Sequence, residues 1–153
     1  MNPRNGRSDS RAEALEQVMA LMRDNGRLTR RIFRRRMKAM ELTGSEARAL
    51  LYLGANPGIA QGRLAEIMEV QAIVLSRTVD RLGEAGFVER RLSETDRRLR
   101  LLYLTEEGKV LARRLNRMQD ELDRGATANL SEEELRQLAV GLGRINQALR
   151  EAE

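Results

Sequence analysis

The sequence predicts a mainly α fold with a small β wing: a winged helix-turn-helix flanked by long N- and C-terminal helices. Three observations predict it. Residues 61–86 hold two short amphipathic stretches separated by a tight turn and closed by a glycine. Residues 87–104 hold two strand-like runs around a polar, Arg-rich tip. Residues 11–40 and 105–150 carry apolar residues at helical spacing over lengths that a small lobe cannot bury by itself. The 153 residues are read as one domain, with 43–104 as the winged lobe and the two long segments as dimerisation helices.

Residues 1–10 are polar, include Pro3 and Gly6, and are expected to fray. From Arg11 to about Met40 the helical pattern has two stripes. Ala14, Leu15, Val18, Met19 and Met22 form the first, and Leu28, Ile32, Phe33 and Met37 the second. Asn25-Gly26 between them marks a bend or a change of environment rather than an end. The second half carries seven arginines from Arg23 to Arg36, then Lys38, against the single acid Asp24. Most of that charge reads as a solvated face, with some available to an acidic ligand or partner.

Thr43 followed by Glu46 has the form of a capping box and starts a helix through about Gly54, buried along Ala47, Leu50, Leu51 and Leu53. Asn56-Pro57-Gly58 is a loop. The next helix starts near Ala60, a poor N-cap, so tertiary packing must hold its first turn. Leu64, Ala65 and Ile67/Met68 form its stripe, Glu69-Val70 allows the turn, and Leu75, Val79 and Leu82 face inward from the second helix. Gly86 suits the left-handed position that ends it.

Placing Leu75 at the centre of the buried face turns Ile73, Arg77, Asp80 and Glu84 directly outward, with Ser76 and Arg81 on the flanks. The N-terminal part of such a face is what a recognition helix presents to base edges, and Gln71 lies at its start. In isolation, a solvated amphipathic helix is the better explanation of such an Arg-bearing face. An Arg-rich hairpin directly after it favours DNA. The strands Phe87–Leu92 and Leu99–Leu104 enclose SETDRR, which places Arg97 and Arg98 where a wing meets DNA, with Asp96 beside them to orient an arginine. Thr105 caps the following helix, which runs along Val110, Leu111, Leu115, Met118 and Leu122 to about Ala126. Ser131 with Glu134 opens the last, along Leu135, Leu138, Leu142, Ile145 and Leu149.

Composition narrows the function. A formal net charge of +5 favours a polyanionic partner. Without Cys or His, thiol redox sensing, thiolate metal sites and the commonest general base are excluded, and no nucleophile–base set or phosphate-cradling loop appears. No catalytic residue, metal site or cofactor is expected. No run approaches a membrane span and no leader pattern opens the chain, so a cytoplasmic location is expected.

The local motifs resemble those of the MarR-type winged-helix regulators, leaning toward the SlyA-like branch. The matching stretches are LTGSEARALLYL (42–53), LAEIMEV (64–70), SRTVDRL (76–82), EAGFVERR (84–91) and DRRLRLLYLTEEGKVL (96–111). The resemblance implies a homodimer on a pseudo-palindromic operator in double-stranded DNA. It puts Arg77 in the major groove and Arg98 in the minor groove, supported by Asp96. It also implies a small aromatic or anionic effector that releases DNA, for which Ile32, Phe33 and Tyr52 are candidate ligand-binding residues, though core packing accounts for each of them as well. Ala72, Ile73 and Val74 depart from the polar residues, Pro or Thr common there in the family, which leaves the operator sequence open. The leading reading is a sequence-specific transcriptional regulator, most simply a repressor. An architectural or anti-silencing DNA binder without a ligand is the alternative, and a module docking an acidic protein is a third.

Overall fold

The computed structural model describes residues 5–93, 96 and 99–152. In chain order the elements are α1 (Asn5–Lys38), α2 (Gly44–Ala55), β1 (Ile59–Ala60), α3 (Gln61–Ile67), α4 (Ala72–Glu84), β2 (Val88–Leu92), β3 (Arg100–Leu104), α5 (Glu106–Thr127) and α6 (Glu132–Glu151). The mainly α class with a small antiparallel wing is therefore as expected. Two compact units divide the chain, Met1–Ala112 and Arg113–Glu153.

In the first unit, α1 begins at Asn5 rather than after Ser10, and it passes through Asn25-Gly26 without ending. Extending an existing helix adds one hydrogen bond per residue fixed, so polar residues in front of a nucleated helix join it at little cost. Of its apolar residues, Met37 is buried, whereas Leu15, Val18 and Leu21 are exposed. The helix closes with a paired motif, Leu42 N–H to Met37 O and Glu41 N–H to Lys38 O, that sets Glu41 at φ 58°.

The Thr43–Glu46 capping box forms as expected and starts α2. Its buried side is Ala47, Ala49, Leu50 and Leu53 together with Glu46, while Leu51 is only half-buried. Ala60 makes no side-chain cap for α3. What holds that first turn is β1, unanticipated because two residues carry no alternation. It pairs antiparallel with β3 at Ile59↔Leu102 and Ala60↔Leu101. The sheet order is β1-β3-β2, and β2 pairs with β3 from Val88↔Leu104 to Leu92↔Arg100.

Two glycines fix how the helix-turn-helix joins the wing. Gly86, at φ 78°, follows α4 in a Schellman motif: Gly86 N–H donates to Gly83 O and Phe87 N–H to Leu82 O. Gly108, in the first turn of α5, comes so close to the Phe87 carbonyl that a Cβ would sit 2.0 Å from its oxygen. Beside it the Thr105 hydroxyl accepts from Gly108 N–H (3.0 Å) and donates to Gly86 O (2.7 Å), so one side chain caps α5 and ties it to the end of α4. The spacing of Leu104, Thr105 and Gly108 in the stretch 96–111 is thereby explained by geometry. The core of this unit is Met37, Leu50, Leu53, Leu64, Met68, Leu75, Val79, Leu82 and Leu102.

In the second unit, α6 opens with the expected Ser131–Glu134 capping box. No α6 residue is buried, and Leu138, Val140 and Leu149 are 50%, 56% and 61% exposed. An amphipathic helix with its apolar face in water lacks the burial that normally stabilises it.

Candidate nucleic-acid interface

The turn between α3 and α4 is set by backbone chemistry. Val70 N–H donates to Ala65 O and Glu69 N–H to Glu66 O, with Glu69 at φ 53°. The Arg48 guanidinium donates to Met68 O at 3.2 Å and ties α2 to that turn. On the inner face of α4, Leu75, Thr78, Val79 and Leu82 are buried. Thr78 was not anticipated there. Its hydroxyl donates to Val74 O (3.1 Å) and lies 3.4 Å from the Ser45 hydroxyl, which satisfies it inside the lobe.

The outer face carries Gln71, Ile73, Arg77 and Asp80, all exposed, with Ser76 half-buried beside them. Gln71 is the α4 N-cap but makes no side-chain capping bond. The arginines near this face divide into two kinds. Arg81, expected to face DNA, is held by Glu46, its Nε 2.7 Å from the carboxylate. Arg90 of β2 ties three elements together: it meets Asp80 of α4 at 2.7 Å, Gln61 at the start of α3 at 3.1 Å, and the Ser76 carbonyl at 3.4 Å. Arg91 pairs with Glu89 and lies over the Tyr103 ring, 4.4 Å from its centroid. Arg77, by contrast, has no ion pair among the described residues.

Glu46 is the anchor of this arrangement. Its carboxylate accepts from the Thr43 amide (2.7 Å), the Thr43 hydroxyl (2.8 Å) and Arg81. Burial pushes its pKa up, but the bonds from the Thr43 amide, Arg81 and the Thr43 hydroxyl outweigh burial and hold it below the ordinary carboxylate value. Glu46 therefore stays ionised and fixes α4 against the N-terminus of α2. Spacing along the chain signalled the capping box but not the reach to Arg81.

At the wing tip, Ser93 is buried; its hydroxyl accepts from Asp96 N–H at 3.3 Å, and Leu99 N–H donates to Asp96 O at 2.9 Å. Asp96 is exposed, and Arg97 and Arg98 lie outside the described residues. Of the expected effector contacts, Phe33 lines a cavity of about 740 Å³ with Arg30, Arg34, Lys38, Leu42, Arg48 and Val70 among its neighbours. Ile32 and Tyr52 are half-buried and do not line it. Among the described residues there is no group of His, Cys, Asp and Glu able to hold a metal, and no helix long and apolar enough to cross a membrane.

A family model described as MarR family matches residues 41–99, the segment containing α2, the helix-turn-helix and most of the wing. The HTH-type transcriptional regulator BilQ of Clostridium symbiosum is 32% identical over 96 residues, covering 63% of this chain and 67% of that protein. The crystal structure of the transcriptional regulator SlyA superposes with a TM-score of 0.73 at 29% identity, covering 86% of this chain and 95% of that one. Streptococcus pneumoniae FabT, solved in complex with DNA, shares the fold at a TM-score of 0.77 and 20% identity, over 93% and 99% of the two chains. With its helix-turn-helix, its wing and these relatives, the chain belongs to the MarR family of DNA-binding transcriptional regulators.

Proposed function

We propose that the chain acts in the cytoplasm as a sequence-specific homodimeric repressor on a pseudo-palindromic operator, released by a small anionic or aromatic effector. In this reading α4 enters the major groove with Gln71, Ile73, Ser76 and Arg77 toward the bases. In the same reading Arg98 enters the minor groove, supported by Asp96, and Arg97 contacts DNA beside it. Arg81 acts at the edge of the site through its bond to Glu46. The observation that carries the reading is Arg77: exposed on the outward face of a helix whose other nearby arginines are tied down, it is poised for a bidentate bond to guanine.

Dimerisation is supported by the exposed apolar residues of α1 and α6, and the terminal segments 11–40 and 105–150 are its elements. The cavity at Arg30, Phe33, Arg34, Lys38 and Arg48 supports an acidic effector, since it joins an apolar wall to four cations against the one acid Glu41. Selection of bound fragments from a random library, with wild type and Arg77→Ala side by side, tests the proposal. Loss of choice at one base pair per half-site, costing about 1–3 kcal/mol, is expected. Equal weakening on all sequences would reduce Arg77 to a phosphate contact. Absence of any selected sequence would favour an architectural DNA binder.

A further inference from the structure

The first turn of α4 is built against its own stability. Gln71, Ala72, Ile73 and Val74 are all exposed, Ile73 at 57% and Val74 at 44%. Two β-branched residues in an exposed helical turn lose side-chain freedom against the preceding backbone and gain no burial in return. The N-cap contributes no side-chain bond either. Folding alone would favour Ala or Glu at both positions and Ser or Asp at the cap. One turn on, Arg77 shares the outward face with Ile73, while Val74 lines a shallow cleft with Ser45, Arg77, Thr78 and Arg81. Ile73 is therefore an apolar step on the outward face, with Val74 on its flank, next to the one α4 arginine that carries no ion pair among the described residues.

Neither Ile73 nor Val74 has a side-chain donor or acceptor, so neither reads the hydrogen-bonding pattern of a base edge. The one apolar group that a base pair presents in the major groove is the C5-methyl of a pyrimidine. We propose that Ile73, flanked by Val74, makes operator recognition depend on that methyl group, whether on thymine or on 5-methylcytosine. Binding then responds to cytosine methylation within the half-site as well as to its sequence. This inference rests on the major-groove placement of α4 proposed above.

The test starts from an operator obtained by selection. Each thymine of one half-site is replaced in turn by uracil, which removes the methyl and leaves every hydrogen bond in place. At one or two positions wild type should lose about fourfold in affinity, the worth of one buried methyl. Where such a position carries C·G, methylating that cytosine at C5 should restore a similar factor. In Ile73→Ala, and in Ile73→Ala/Val74→Ala, the thymine-to-uracil ratio should fall to about one. Alanine favours the helix, so circular dichroism should be unchanged. A wild-type protein that selects an operator yet binds its uracil forms equally overturns the inference and leaves the proposed function standing. Persistence of the ratio in both variants overturns it too. Failure to select any operator brings down both.

Discussion

Replacing Glu46 with alanine should destabilise the winged lobe by about 2 kcal/mol, and the sum can be built from its contacts. The capping-box bond to the Thr43 amide accounts for about 1 kcal/mol of that. The bond to Arg81 would be worth more if buried, but the Arg81 side chain is 54% exposed, and solvent screening reduces it to about 1 kcal/mol. Glu46→Gln should cost less, about 1 kcal/mol, because an amide oxygen still accepts from Thr43. Urea unfolding at pH 7 gives these values, and a cycle with Arg81→Ala should return a coupling of about 1 kcal/mol. The sign of the pH dependence follows from a pKa held below its ordinary value of 4.5 in the folded state. The contribution is complete above 4.5 and is lost as pH falls through the folded value, so wild type and Glu46→Gln should converge in acid. Alanine at 46 leaving stability within about 0.5 kcal/mol of wild type at pH 7 would refute this account of how α2 holds α4.

Three further outcomes are expected. Log affinity for DNA should fall linearly with log salt, by about 0.9 per phosphate neutralised, and a flat plot would remove the electrostatic basis of binding. Glu69→Gly should stabilise the fold by about 0.5–1 kcal/mol in urea, since Glu69 holds φ 53° where a Cβ is strained; a loss of stability would contradict the turn geometry. Arg98→Ala should weaken binding most on operators with an A/T-rich narrow minor groove under the wing, and equal affinity on all operators would leave Arg98 without a groove role.

The features legible in the sequence are those set by near neighbours. Thr43 with Glu46, Ser131 with Glu134, Thr105 and Gly86 each announce a helix end within a few residues, and each end is where it was expected. Features set across space were not legible. Gly108 reads as an indifferent helix residue until the Phe87 carbonyl is placed against it. The two-residue strand β1 acquires meaning only from Leu101 and Leu102. The outward face of α4 was derivable from the position of Leu75, because helical period needs no partner. The partners of the arginines were not, since Arg81 finds its acid 35 residues away and Arg90 reaches back from β2 to α4.

That partition changes what the positive charge of the interface means. In sequence, Arg77, Arg81, Arg90 and Arg91 look like a uniform basic surface. In the fold, three of them have acidic partners, Glu46, Asp80 and Glu89, and each pair offers a phosphate much less net charge than a lone guanidinium. Arg90 also joins β2, α3 and α4, so on the proposed reading its part is to hold wing and α4 at a fixed angle. On the proposed reading, the charge that DNA meets is then concentrated at Arg77 and at Arg97 and Arg98. Removing Arg90 should accordingly lower affinity without reducing the salt slope, because the loss is one of positioning. Removing a phosphate-bound arginine should reduce the slope by about one contact per subunit. The slope, more than the affinity, therefore separates the arginines that build this interface from those that touch DNA.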